Sequence, residues 1–281
     1  MTTVIFTQDD KLQRLMTLSA EAAAAENFFT MNLSSVYKDL VLQIKSIFQY
    51  AEDLVVKDDI PSLKSDQKKF VGMVQRLPYT SMTSIRAYSP EGMIKSYLEY
   101  LDVLYPASIH LKGILTDVLQ PYAQYLARYV SDHQFTSNVN QDKRDIQQQE
   151  KVRADFQKKF QHCYGRDQFG GVTTVGKVIH RNSDWAPVFK KMNDVVANMD
   201  SVDRTKLENT VRECTDYIEM IANGLKEEKN RKVSQEAANR LGEYAHSVAR
   251  ELEFFSVTYY RTIALVGAID KTIESIDDVM G

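Results

Sequence analysis

A chain of 281 residues with 43% apolar content can bury a sizeable core, as one large domain or two small ones. A formal net charge of −3 excludes a polycation, and two cysteines exclude a disulfide-stapled scaffold. The longest wholly uncharged apolar candidate for a membrane span, Thr262 to Ile269, is eight residues, far short of the 18 or more that a span needs. The opening MTTVIFTQDDKLQ has acids where a signal peptide has basic and then apolar residues, so synthesis in a reducing cytoplasm is expected.

In chain order, a short extended start (Thr2 to Phe6) leads to Thr7, Asp9 and Asp10, which read as a cap and acidic first turn. The helix they open runs through AEAAAAE to about Phe29. A second begins at Ser34 or Ser35 and places Tyr37, Val41, Ile44, Phe48, Ala51 and Val55 at alternating steps of four and three, the spacing of a single packing face. It ends near the Lys57 to Pro61 break. Ser62 to Leu77 reads as a shorter amphipathic helix, and Pro78 to Pro90, rich in Ser, Thr and Tyr, as a loop.

From Pro90 a seam of Ile94, Tyr97, Leu101, Leu104, Ser108, Leu111, Leu115, Val118, Tyr122, Tyr125 and Tyr129 stays in register across Pro106 and Pro121. Proline bends a helix, so collinear segments with kinks facing one core are expected. A polar linker, Ser131 to Gln141, precedes a charged helix over about Asp142 to Tyr164 with Ile146, Val152, Phe156, Phe160 and Cys163 inward. Gly165 to Pro187 has no helical period; Val172 to Ile179 could form a small β-hairpin around Gly176. Ser183 or Asp184 caps a helix to about Met199, and another from about Asp203 carries Leu207, Val211, Cys214, Ile218, Ile221 and Leu225.

After the charged turn KEEKNRK (226 to 232), the final stretch has the strongest pattern in the chain. Leu241, Ala245, Val248, Leu252, Phe255, Tyr259, Thr262, Val266, Ile269, Ile273, Ile276 and Met280 alternate by four and three, and eleven of the twelve are apolar. An unbroken helix from Ser234 to Asp278 is roughly 65 Å long, against a diameter of about 50 Å for a compact globule of this length. Gly242 and Gly267 are where bending costs least. The last two helices read as an antiparallel hairpin. Beyond about Ile263 the longer one outruns its mate, so the seam Val266, Ile269, Ile273, Ile276 and Met280 is expected to pack on N-terminal helices or on another subunit.

Candidate chemistry is sparse. Gly171 to Lys177 (GVTTVGK) fits the spacing of a phosphate-binding loop, but Val178 stands where a magnesium-holding hydroxyl belongs and no helix period follows. Glu243 and His246 make one E-x-x-H unit, where a di-iron bundle needs two and further glutamates. Cys163 and Cys214 fall on apolar sides of helices and read as core thiols. No catalytic residue, metal ligand or cofactor site is expected.

Charge is unevenly spread. Residues 1–150 carry 15 Lys/Arg against 18 Asp/Glu, 151–191 carry 9 against 3, and 192–281 carry 11 against 17. In the middle stretch Lys151, Arg153, Lys158, Lys159, Arg166, Lys177, Arg181 and Trp185 combine cations with aromatics, as a surface for single-stranded nucleic acid or an acidic partner would.

These patterns predict an all-α, elongated, mostly antiparallel bundle of about eight helices with a long C-terminal hairpin and one irregular loop. An N-terminal helical region (1–132), a basic helix with its arm (133–191) and the hairpin (192–281) are the expected parts, separate or continuous. The expected role is non-enzymatic: long helical surfaces supplied to a homo-oligomer or larger assembly such as a filament, shell or virus particle. Nucleic-acid binding through 151–191 is the alternative.

Overall fold

The computed structural model describes residues 44–49, 51–63, 66–74, 83–88, 97–132, 147–148, 150–156, 158–159, 171–174, 185–227 and 235–280. Helix accounts for 84% of them and the two strands among them form one small antiparallel sheet, so the fold is all-α. The helices expected before residue 44 lie outside the described residues. The labelled elements are α1 (Gln67–Val74), β1 (Ser84–Ala87), α2 (Tyr97–Lys112), a π-helical turn (Ile114–Leu119), α3 (Gln120–Asp132), β2 (Gly171–Thr174), α4 (Trp185–Asp200), α5 (Arg204–Glu227) and α6 (Gln235–Met280).

α6 is the single unbroken helix of 46 residues that the four-three spacing predicts. Of its twelve seam residues, the eleven whose side chains are described are all buried, none more than 3% exposed. Neither glycine interrupts it. A Cβ built on Gly267 meets nothing within 4 Å. Gly267→Ala is therefore expected to raise stability by about 0.5–1 kcal/mol, the ordinary helix-interior difference, as a higher denaturant midpoint with unchanged slope.

The chain divides into two compact units, each drawn from three segments: residues 1–54, 119–137 and 208–253, and residues 55–118, 138–207 and 254–281. In the first, the seam residues Ile44, Phe48 and Ala51 are buried, as are Val211, Cys214 and Ile218 of α5 and Leu241, Ala245 and Val248 of α6. Aromatic rings fill its centre. Phe48 stacks on Tyr122 with centroids 5.3 Å apart, and Tyr244 lies 5.5 Å from Tyr122 and 5.1 Å from Tyr125. The Tyr122 hydroxyl, fully buried, donates to the carbonyl oxygen of Leu241 at 3.4 Å.

In the second unit α4 packs along α2, and α1 rests on α4. α1 begins at Gln67, five residues later than the sequence suggests, because the Asp66 carboxylate caps it by accepting from the amides of Lys68 and Lys69, both at 3.1 Å. The seam of α2 is buried at Leu101, Leu104, Ser108 and Leu111. Pro106 stands inside that helix, and the irregularity falls instead in the π turn ahead of Pro121. Proline has no N–H for the carbonyl one turn back, and a widened turn is one way a helix reassigns such carbonyls. Asp203 starts α5 by accepting from the Lys206 amide at 2.9 Å.

The sheet corrects one expectation. Residues 78–90 are not wholly loop, since Ser84–Ala87 is a strand. Its partner is Gly171–Thr174, in the register Ser84 with Thr174 and Ala87 with Gly171; the rest of the hairpin expected around Gly176 lies outside the described residues. β1 buries Ile85 and Ala87 on one face. Its other edge is met by α6: the Arg86 amide donates to Ser275 Oγ and the Tyr88 amide to Thr272 Oγ1, both at 2.9 Å.

Candidate functional site

The basic stretch becomes two different environments. Residues 150–156 are helical, and their apolar side is defined by Phe156, stacked on Phe254 at 5.9 Å and 6.0 Å from the His110 ring. Lys151 and Lys158, seven residues apart, share one side of a helix, with Lys159 next to them; all three are exposed. Exposed Asp155 sits among them, four residues from Lys151 and from Lys159, and weakens the field they present.

Arg153 and Trp185 are not surface groups. Arg153 is 5% exposed and lies 3.8 Å from the Glu150 carboxylate, one turn back on its own helix. Trp185 is 3% exposed in an aromatic cluster, 4.9 Å from Phe70, 5.7 Å from Phe189 and 6.0 Å from Tyr97. Neither offers a face on which a base could stack or a phosphate could sit. Lys191 pairs with Asp102, and Arg166, Lys177 and Arg181 lie outside the described residues. Of the eight candidate contacts, Lys151, Lys158 and Lys159 are the ones the structure brings together at the surface.

The seam at the end of α6 is covered by this chain itself. Val266, Ile269 and Ile276 have no exposed surface and Ile273 has 1%; the side chain of Met280 lies outside the described set. Tyr88, just after β1, and Tyr97, at the start of α2, meet this part of α6. The Tyr97 hydroxyl donates to the Tyr88 carbonyl and bonds Thr272 Oγ1 at 2.7 Å, tying both tyrosines to α6.

Arg204 is a polar centre that no sequence pattern marks. It donates to the Asp59 carboxylate and to the Asp58 carbonyl, each at 2.6 Å, and its guanidinium lies 5.5 Å from the centre of the Tyr259 ring. Arg204 in the first turn of α5 thereby meets Tyr259 in the middle of α6. Asp59 is 88% exposed, and an ion pair so open to water contributes less than about 1 kcal/mol. The knot fastens a turn.

Burial pushes the hydroxyls of Tyr97 and Tyr122 and the Cys214 thiol up from their ordinary values of 10.0, 10.0 and 9.0, for Tyr97 against a smaller opposing effect of the Thr272 hydrogen bond. All three are mostly neutral below about pH 8 whether the chain is folded or not. Above that, the unfolded chain ionises them while the folded chain holds its protons, so stability is lost as pH rises towards the raised values. The melting temperature is expected to fall above about pH 9, with part of the tyrosinate absorbance of the 15 tyrosines appearing only on unfolding.

Gly171–Thr174 is extended and paired in a sheet, which removes the start of any phosphate-cradling loop. Among the described residues no group of three or more His, Cys, Asp or Glu could hold a metal ion, and no helix is long and apolar enough to cross a membrane. No protein-family model, curated protein or solved structure matches this chain.

Proposed function

We propose that this chain is a non-enzymatic structural protein that supplies long helical packing surfaces to a larger assembly of protein subunits. The observation that carries the reading is the length of α6, 46 residues in one uninterrupted rod; its seam is filled within the chain, so a partner meets the sides that the seam leaves open. Helices in globular proteins average about 10–14 residues, and most of their stability comes from the face they pack. The polar groups inside act in the same sense. Thr262 returns its hydroxyl to the Thr258 carbonyl four residues back on α6, and Tyr97 and Arg204 tie segments together.

Sedimentation velocity over a wide concentration range tests the reading. The expected result is growth in mass beyond the 32.2 kDa of one chain as concentration rises. A single 32.2 kDa species at every concentration overturns it.

A second reading, nucleic-acid binding, is supported by the exposed Lys151, Lys158 and Lys159. It has lost Arg153 and Trp185 to the interior. Three phosphate contacts give only a shallow salt dependence, a slope of about −2 to −3 in log affinity against log salt. Retention on an oligonucleotide column eluting with that slope supports it, and flow-through at low salt removes it.

A further inference from the structure

We propose that neighbouring copies of this chain meet through opposite charges, Lys151, Lys158 and Lys159 of one copy lying against Glu274, Asp277 and Asp278 of the next. This rests on the assembly reading above and names a surface for it.

The acidic half of the contact is on the last turns of α6. Glu274, Asp277 and Asp278 are spaced by three and four, so they share one exposed side of the helix, with Val279 beside them 41% exposed. Aligned peptide dipoles make a helix C-terminus negative, and cations are what stabilise it. The final turn of α6 holds no basic residue and two acids instead. The carboxylates and the dipole therefore repel each other, and a cationic surface from outside would relieve both at once.

That surface exists on the same chain. Lys151, Lys158 and Lys159 are exposed, and neither they nor the three carboxylates form an ion pair or hydrogen bond among the described residues. By contrast Lys45, Lys191 and Arg212 are matched with Glu219, Asp102 and Glu208. Each face contains one residue of the opposite sign, Asp155 among the lysines and Lys271 beside the acids, with Lys271 lying 5.7 Å from the centre of the Tyr88 ring. A net excess of two cations thus faces a net excess of two anions.

Made twice across a two-fold axis, such a contact closes a dimer; made once per pair of copies, it is heterologous. The heterologous form builds a ring if the rotation between copies closes and a filament if it does not. It is also screened, since the Debye length shrinks from about 14 Å in about 50 mM salt to about 4 Å in about 500 mM.

The test is a charge swap on the full chain, read by sedimentation velocity at those two salt concentrations. Two triple variants are compared with the parent: Lys151→Glu, Lys158→Glu, Lys159→Glu, and Glu274→Lys, Asp277→Lys, Asp278→Lys. All six positions are exposed, and unchanged circular-dichroism melting confirms that both variants fold. The expected result is parental association that weakens in high salt and is reduced about tenfold or more in each variant alone. Mixing the two variants restores it, because reversed faces meet reversed faces. Parental association in either variant, or no recovery on mixing, overturns the proposal and leaves the assembly reading standing. A parent that is monomeric at both salts removes both. If the lysine variant loses only binding to a labelled oligonucleotide, the face belongs to nucleic acid and the proposal is overturned.

Discussion

Ile273→Asp is expected to unfold the part of the chain built on the end of α6, lowering stability by more than about 3 kcal/mol. Two effects add. Removing a buried isoleucine side chain costs about 2–5 kcal/mol through lost burial and the space left behind, and a carboxylate with no partner in that space costs about 3–5 kcal/mol or forces its own protonation. Ile273 is 1% exposed, between Thr272, which is bonded to Tyr88 and Tyr97, and Ser275, which is bonded to Arg86, so the helix cannot turn its new charge outward without giving up those bonds. Against a total stability of about 5–15 kcal/mol such a loss is visible in any melt. Ile273→Val, which keeps the site filled, should cost only about 0.5–1.5 kcal/mol. Circular dichroism with denaturant measures both. A folded aspartate variant with the parental midpoint would mean that the chain does not cover this seam and that a second copy does.

The rods were legible because their signal is long. Four-three spacing through α6 and α5 identifies every described seam residue as buried, from Leu207 to Ile221 and from Leu241 to Ile276. The same spacing would have corrected the two misplaced site residues. Arg153 falls three residues before Phe156 and seven before Phe160, a seam position, which chemistry-first reading of its guanidinium overlooked. Trp185 begins the run Trp185, Val188, Met192, Val195, Met199, again at steps of three and four, and all five are buried. Residue type suggested a contact surface where position already indicated a core.

What was not legible lacks a local signal. β1 and β2 are four residues each and pair across more than eighty residues of chain, so no period in either could announce the other. The cover over the end of α6 depends on hydroxyls of Thr272, Ser275 and Tyr97 meeting backbone groups, and a hydroxyl in a sequence does not say which amide it will bond. Arg204 is likewise an ordinary helix-start residue until Asp59 and Tyr259 are brought to it. The three lysines left at the surface were readable as charge.

Trp185→Ala is expected to lower stability by about 3–5 kcal/mol, the range for deleting a large buried aromatic side chain. The indole touches Phe70 of α1, Phe189 of α4 and Tyr97 of α2, so its loss opens a space bordered by three helices at once, and the edge-on contact with Phe70, worth about 0.5–1.5 kcal/mol, goes with it. Trp185→Phe keeps a ring in that space and should cost distinctly less. Because it is the single tryptophan of the chain, the same residue reports its own surroundings. Native emission should be blue-shifted, insensitive to a soluble quencher and unchanged when an oligonucleotide is added, and should move to the red only on unfolding. Quenching by the oligonucleotide in the folded chain, or an alanine variant as stable as the parent, would place the indole at a surface; a melt read by that emission and one read by circular dichroism then decide whether the unit around Trp185 opens with the rest of the chain or before it.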